Sequence, residues 1–336
     1  MKTGIYYSSK NVGTKTLEKP LITEEEAIIR VSYAGICGTD MMIYSGLHPR
    51  AQAPLIMGHE FCGMVDEIGE GHDFKKGDRV IIEPLLNCGK CAACKAGQVH
   101  VCANLKYIGI DKDGGFAEYA AIPVDRLRSL PENVSDEDAA LTEPLAVAIH
   151  TVRRSSLKVG DTVAILGAGP IGLLIALIAK EAGAGDIFIS DVSPYRLKIA
   201  SEMGFTAVNA LNEDIVDKVK LHTQDVGADV VFEVAGNQIT ADQMIDCIKF
   251  QGEVVVVSVY KNAPIINLAK MHFREVSLTT TRCYSSDDFS IAIKLLEQQT
   301  ININPIISHI LPLDEIEKGF ELMENPETSL KILFHP

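Results

Sequence analysis

The chain has no surplus of positive charge and no long apolar run, and each absence removes a class of function. Its 336 residues carry 31 basic against 45 acidic side chains, a formal net charge of −14. Nucleic acid and anionic membrane surfaces require a basic face, so neither is expected as a partner. The longest apolar stretch, Ile171 to Ala179, is interrupted by Gly172 and closed by Lys180. That falls well short of the ~20 residues of a spanning helix. The opening Met1-Lys2-Thr3-Gly4-Ile5-Tyr6-Tyr7 lacks the apolar core and small-residue cleavage site of a secretory signal. Solenoid-type repeats and low-complexity tracts are lacking too. The expectation is a cytoplasmic protein with reduced thiols, whose eight cysteines read as metal ligands before disulfides.

What is present is enough apolar material, 47% of residues, to fill two cores in a chain of this length. Up to about Thr142 the sequence reads as short strands between Gly- and Pro-marked turns, such as Glu26 to Val31, Gly63 to Ile68 and Asp78 to Ile82. This is the pattern of a β-rich, barrel-like domain. From about Asp161, strands and helices alternate: strands at 162–166, 187–191, 229–234, 253–257 and 276–281, with helices at 171–182 and 194–203. Such alternation predicts an α/β domain with a doubly wound parallel sheet. Two amphipathic helices follow, 287–298 and 313–323. The closing Leu330-Lys331-Ile332-Leu333-Phe334 is assigned as a strand of the first domain, which makes that domain discontinuous.

The strand from Thr162 runs into Gly167-Ala168-Gly169-Pro170-Ile171-Gly172 and then a helix. Gly167 permits the tight turn, Gly169 the approach of a pyrophosphate, and Gly172 close packing of helix on sheet. Asp191 ends the next strand roughly 20 residues on, where a ribose-binding acid belongs. Together these predict a dinucleotide site. Backbone N–H groups at a helix start hold the phosphates, so the acidic balance of the chain is no obstacle. The Asp191 carboxylate would repel a 2′-phosphate, and this outweighs the nearby Arg196, which alone would favour NADP. The cofactor is therefore expected to be NAD.

Cys88-x2-Cys91-x2-Cys94-x7-Cys102 supplies four thiols, enough to close a tetrahedral structural zinc site. Cys37, in Gly35-Ile36-Cys37-Gly38-Thr39-Asp40, and His59, in Gly58-His59-Glu60, are isolated, and Glu143 precedes Pro144 at the domain junction. A catalytic zinc needs about three protein ligands and one open position.

These motifs, in this order, resemble the zinc-containing medium-chain dehydrogenases, and the resemblance covers essentially the whole chain. Glu143, where alcohol dehydrogenases of the family carry a cysteine, points to the polyol branch of sorbitol, galactitol-phosphate, butanediol and threonine dehydrogenases. The resemblance implies a GroES-like catalytic domain over 1–150 and 286–336, a zinc lobe at 86–103 and a Rossmann NAD-binding domain over 151–285. It implies two zinc ions per chain, the catalytic one held by Cys37, His59 and an acid, either Glu60 or Glu143, directly or through water. The nicotinamide would lie over the strand end Val257-Ser258-Val259. Thr39 would carry the alcohol proton, although Met42 stands where many relatives have the next histidine of the relay. Tyr44 and Arg282 would line the substrate and cofactor pocket.

The expected reaction is NAD-linked oxidation of a secondary alcohol, a polyol or sugar alcohol either free or phosphorylated, by a homodimer or homotetramer. The alternative is a threonine or amino-alcohol dehydrogenase, against which Met42 counts. A non-catalytic NAD-binding relative or a zinc-free reductase would have little reason to retain Cys37, His59, Glu60 and Glu143.

Overall fold

Strand Glu26–Gly35 organises the first of two units. In the computed structural model, which describes residues 1–336, this unit comprises Met1–Glu143 and Ser285–Pro336. Strand Glu26–Gly35 pairs antiparallel with Glu60–Ile68 along its length, with Tyr119–Pro123 at its start and with Lys331–His335 at its end. The wider sheet continues through Arg79–Ile82 and Leu127–Ser129 on one side and Ile307–Pro312 on the other. The register sets Gly35 opposite both Glu60 and Leu333, bringing three distant stretches of chain to one point.

The core beneath contains Phe116, Phe320 and Phe334, with Phe116 edge-on to each partner at 6.1 and 5.3 Å. Such pairs add about 0.5–1.5 kcal/mol each beyond the area they bury. The structure extends the expected strands, so that the one expected from Gly63 begins at Glu60. The expected helix 313–323 divides into a 3₁₀ turn, Leu313–Glu315, and a helix, Ile316–Met323.

The second unit, Pro144–Tyr284, is built on a six-stranded parallel sheet. Its spatial order is Thr206–Asn209, Ile187–Asp191, Val163–Leu166, Ala228–Glu233, Ile248–Val256, Ser277–Thr280. Numbered along the chain this is 3-2-1-4-5-6, and the reversal beside Val163–Leu166 is where such sheets bind ligands. Val163–Leu166 is buried throughout, as a central parallel strand covered on both faces requires. Edge strand Thr206–Asn209 was not anticipated, because its four residues, with Val208 alone buried, show no apolar run.

The unit boundary falls between Glu143 and Pro144, earlier than the expected 150/151. Helix Thr142–Arg153 runs through both positions. Past Pro144 it belongs to the second unit, where the Thr151 and Thr281 hydroxyls lie 3.4 Å apart and Arg154 Nε donates to Thr280 O at 3.2 Å. No helix is long and apolar enough to cross a membrane.

Candidate functional site

The four-cysteine lobe is encoded locally. The sulfurs of Cys88, Cys91, Cys94 and Cys102 all lie within 4.8 Å of one another, with Cys91–Cys94 at 3.5 Å and Cys91–Cys102 at 3.9 Å. Four sulfurs around a zinc ion at ~2.3 Å stand about 3.8 Å apart, whereas a disulfide would bring two of them to ~2.05 Å. Backbone donors lower two of the four thiols, while burial raises Cys94. The N–H groups of Lys90 and Cys91 pull the Cys88 thiol down to about 6, and those of Cys94 and Ala103 lower Cys91. The donor set and its spacing fit a closed metal site.

The second cluster is assembled from separate elements. Cys37 precedes helix Gly38–Tyr44, His59 precedes strand Glu60–Ile68, and Glu60 begins that strand. One ligand atom from each lies within 4.8 Å of the others. His59 and Glu60 are buried and Cys37 is half-buried. Gly35 makes room for this arrangement: a Cβ there would stand 2.7 Å from Glu60 Oε2.

Two supporting residues went unread in the sequence. Lys331 is 3% exposed, and its ammonium donates to Glu60 Oε2 at 2.5 Å and to Ile36 O at 3.0 Å. Burial opposes its charge, but Glu60, Cys37 and Glu143 outweigh burial and raise its pKa. Asp40, wholly buried, accepts from Cys37 N at 2.8 Å and sets Oδ1 3.6 Å from His59 Nδ1. Burial likewise opposes protonation of His59, yet Asp40 and Cys37 hold its pKa well above the ordinary value. A thiol, an imidazole and a carboxylate converging at a buried point form a donor set that fits a metal ion. The only sequence signal for Lys331 was a lone lysine in an apolar run.

The remaining candidates are placed as follows. Glu143 is buried in the first turn of helix Thr142–Arg153, near enough to Lys331 to raise its pKa, but outside the close donor set. Thr39 is half-buried in the first turn of helix Gly38–Tyr44. Tyr44, expected to line the substrate pocket, packs within the core cluster. Only 8% exposed, its ring packs on Phe320 at 5.0 Å with Lys10 above it. Asp40 and Tyr44, four residues apart, share the inward face of one short helix, so the ring belongs to the core.

In the second unit Gly167 has φ +117°, and a Cβ on Gly172 would stand 1.9 Å from Gly167 O. Above Gly169 the space is open, with Arg196 Nη1 nearest at 3.9 Å. Arg196 Nε is buried without a hydrogen-bond partner. Helix Pro170–Glu181 starts here with its N-terminal N–H groups available to an anion. Asp191 accepts from Ala168 N at 2.8 Å and from Ser193 N at 3.0 Å, which ties the acid to the turn. Open space, unmatched donors and a fixed acid fit a dinucleotide. Val257 and Ser258 are half-buried, and Val259 and Arg282 are exposed.

The profile of the alcohol dehydrogenase GroES-like domain matches residues 23–132, and that of the zinc-binding dehydrogenase domain matches 170–298. A 2-dehydro-3-deoxy-L-galactonate 5-dehydrogenase of Pseudoalteromonas atlantica is 38% identical over 97% of this chain and 98% of its own length. An L-threonine 3-dehydrogenase of Pseudoalteromonas translucida is 35% identical over 94% of each chain. The structure of a zinc-binding dehydrogenase from Sinorhizobium meliloti bound to NADP superposes with a TM-score of 0.93 at 34% identity, covering 100% of this chain and 99% of that one. With both metal clusters and the nucleotide turn in place, the chain belongs to the zinc-containing medium-chain dehydrogenase family, in its polyol and threonine dehydrogenase branch, and is a zinc-dependent alcohol oxidoreductase using a nicotinamide cofactor.

Proposed function

We propose that the substrate is a secondary alcohol with a further hydroxyl beside it, a polyol or sugar alcohol, and that the cofactor is NAD. The observation that carries the substrate class is the position of Glu143, beside the Cys37–His59–Glu60 donor set rather than within it. Cys37, His59 and Glu60 would hold the catalytic zinc, with Asp40 facing His59 Nδ1 and orienting the ring. Bound there, zinc supplies the Lewis acidity that makes an alcohol proton labile near neutral pH. The Glu143 carboxylate accepts a hydrogen bond from the second hydroxyl. Thr39 takes up the alcohol proton and passes it to solvent, since Met42 carries no titratable group.

The test compares kcat/KM for a polyol and its deoxy analogue, in the native protein and in Glu143→Gln. A site built to bond a hydroxyl rejects the analogue lacking it by ~10²-fold or more, and the variant should lose most of that preference. Equal rates in the native protein would overturn the polyol reading. A threonine-type substrate is the second reading, supported by the 35% identical relative and opposed by Met42.

For the cofactor, the fixed carboxylate of Asp191 favours ribose hydroxyls over a 2′-phosphate. NAD should exceed NADP in kcat/KM, and Asp191→Ser should narrow or reverse the gap. We also assign a homodimer or homotetramer and a cytoplasmic setting, the latter suited to eight free thiols. The oligomer is supported by edge strand Ser277–Thr280, unpaired on one side, with exposed Leu278 on it and exposed Phe250 and Phe273 elsewhere in the same unit.

A further inference from the structure

A carboxylate without a counter-charge lies at the C-terminal edge of the nucleotide sheet. Glu233 ends strand Ala228–Glu233, in register with Leu166 on one side and Val256 on the other, and has no solvent exposure. Its Oε1 accepts from Ala235 N at 3.0 Å, Gly236 N at 2.7 Å and the Thr240 hydroxyl at 2.8 Å. The Ser258 hydroxyl donates to Oε2. Backbone N–H groups only donate, and their convergence with a hydroxyl on one oxygen is the pattern of an ionised acid.

Every one of these partners is neutral. They lower the cost of burying the ion but leave its net charge in place, and buried charges are ordinarily paired. Tyr260 does not supply the balance. Its hydroxyl lies close to Glu233, and burial, with the Glu233 charge, pushes its pKa well above the ordinary phenol range, so it stays neutral.

We propose that the balancing charge arrives with the cofactor, and that Glu233 is a positioning residue that favours the oxidised, cationic nicotinamide ring over the reduced, neutral one. The inference rests on the dinucleotide reading, which sets the ring over Val257-Ser258-Val259. Ser258 is the residue that donates to the carboxylate, and Val257 N donates to Glu233 O at 2.9 Å. The ring loses its positive charge when it accepts hydride, so a fixed carboxylate nearby acts on the difference between the two cofactor forms. The same residue also braces the 235–240 turn against the end of strand Ile248–Val256, and a purely structural brace would treat both forms alike.

The test is calorimetric titration of the metal-loaded protein with the oxidised and the reduced form of whichever dinucleotide it uses. Glu233→Gln keeps the shape and an acceptor for Ala235 and Gly236. It should raise the ratio of Kd for the oxidised form to Kd for the reduced form by about tenfold, the scale of one charge ~12 Å away at an effective dielectric near 20, almost all of it in the oxidised arm. Thr240→Val removes a neutral donor and leaves the carboxylate, so the ratio should move the opposite way by a smaller factor. Equal changes in both constants, or none, would overturn the proposal and leave Glu233 a brace. If Glu233→Gln does not fold, Thr240→Val decides: a ratio that rises or stays fixed overturns it. A native protein that binds neither form refutes the dinucleotide reading itself, and the proposal with it.

Discussion

The two cysteine-bearing clusters are built in opposite ways. The lobe draws four identical ligands from one loop, half-exposed at three of them, with backbone N–H groups as their main support. The Cys37–His59–Glu60 set draws three unlike ligands from different elements and rests on buried side chains, Asp40 and Lys331, that touch no metal themselves. A local, saturated set needs the ion to hold its loop together. An assembled, unsaturated set is held by the fold and keeps a position for chemistry. On the reading proposed above one would stabilise and the other react, and their surroundings differ accordingly.

The sharpest way to break this contrast is to exchange the consequences of mutation. Cys37→Ser or His59→Ala should lower kcat by ~10³-fold or more, the several kcal/mol a Lewis acid supplies, with little change in Tm. Cys91→Ser should instead lower Tm by ~5 °C or more, because metal binding there is folding energy. Variants that lost activity and stability in equal measure at both sites would erase the distinction.

Chelation tests the same contrast without mutation. The protein should hold two zinc equivalents. A mild chelator should remove one together with the activity, while the four-sulfur ion persists, as followed by metal analysis. Fully active enzyme with a single equivalent would remove the two-site assignment.

Lys331→Met asks whether the open centre depends on its buried cation. Removing one partner of a buried pair costs about 3–5 kcal/mol, and chemical denaturation should show a loss of that order, with Lys331→Arg partly restoring it. An unchanged midpoint would mean that Lys331 does not carry Glu60.

The smallest expected effect is at the far end of the strand that leads to Cys37. The Lys112 ammonium, donating to Glu26, holds that carboxyl below its ordinary value against burial. A depressed pKa makes protonation favour unfolding. The contribution should be complete above pH ~4.5 and vanish as pH falls through the lowered value. Glu26→Gln should therefore destabilise slightly at pH 7 and not at pH 3, in paired thermal melts.

Legibility in the sequence followed the same division. The lobe and the Gly167 turn were readable because each is written in consecutive residues, with spacing that only a metal or a phosphate explains. The alternation of strand and helix revealed the parallel sheet for a similar reason, since each unit is local. Lys331 and Asp40 escaped because their roles depend on register: Lys331 meets Glu60 only because Gly35 pairs with both strands. The packing of Tyr44 on Phe320 escaped because an aromatic near Cys37 in sequence does not reveal which side of a short helix it occupies. The boundary at Glu143 was missed because a continuous helix passes through it, leaving no turn residue to mark it.

The pairing of Lys331 with Glu60 across 271 positions also imposes an order of events. A ribosome exposes Cys37, His59 and Glu60 early, while the lysine is still far from being made. Until strand Lys331–His335 has been translated and docked, the acid has no buried cation beside it and reason to remain in water. The open centre is thus among the last features of its unit to mature, whereas the lobe can capture its ion as soon as Cys102 emerges.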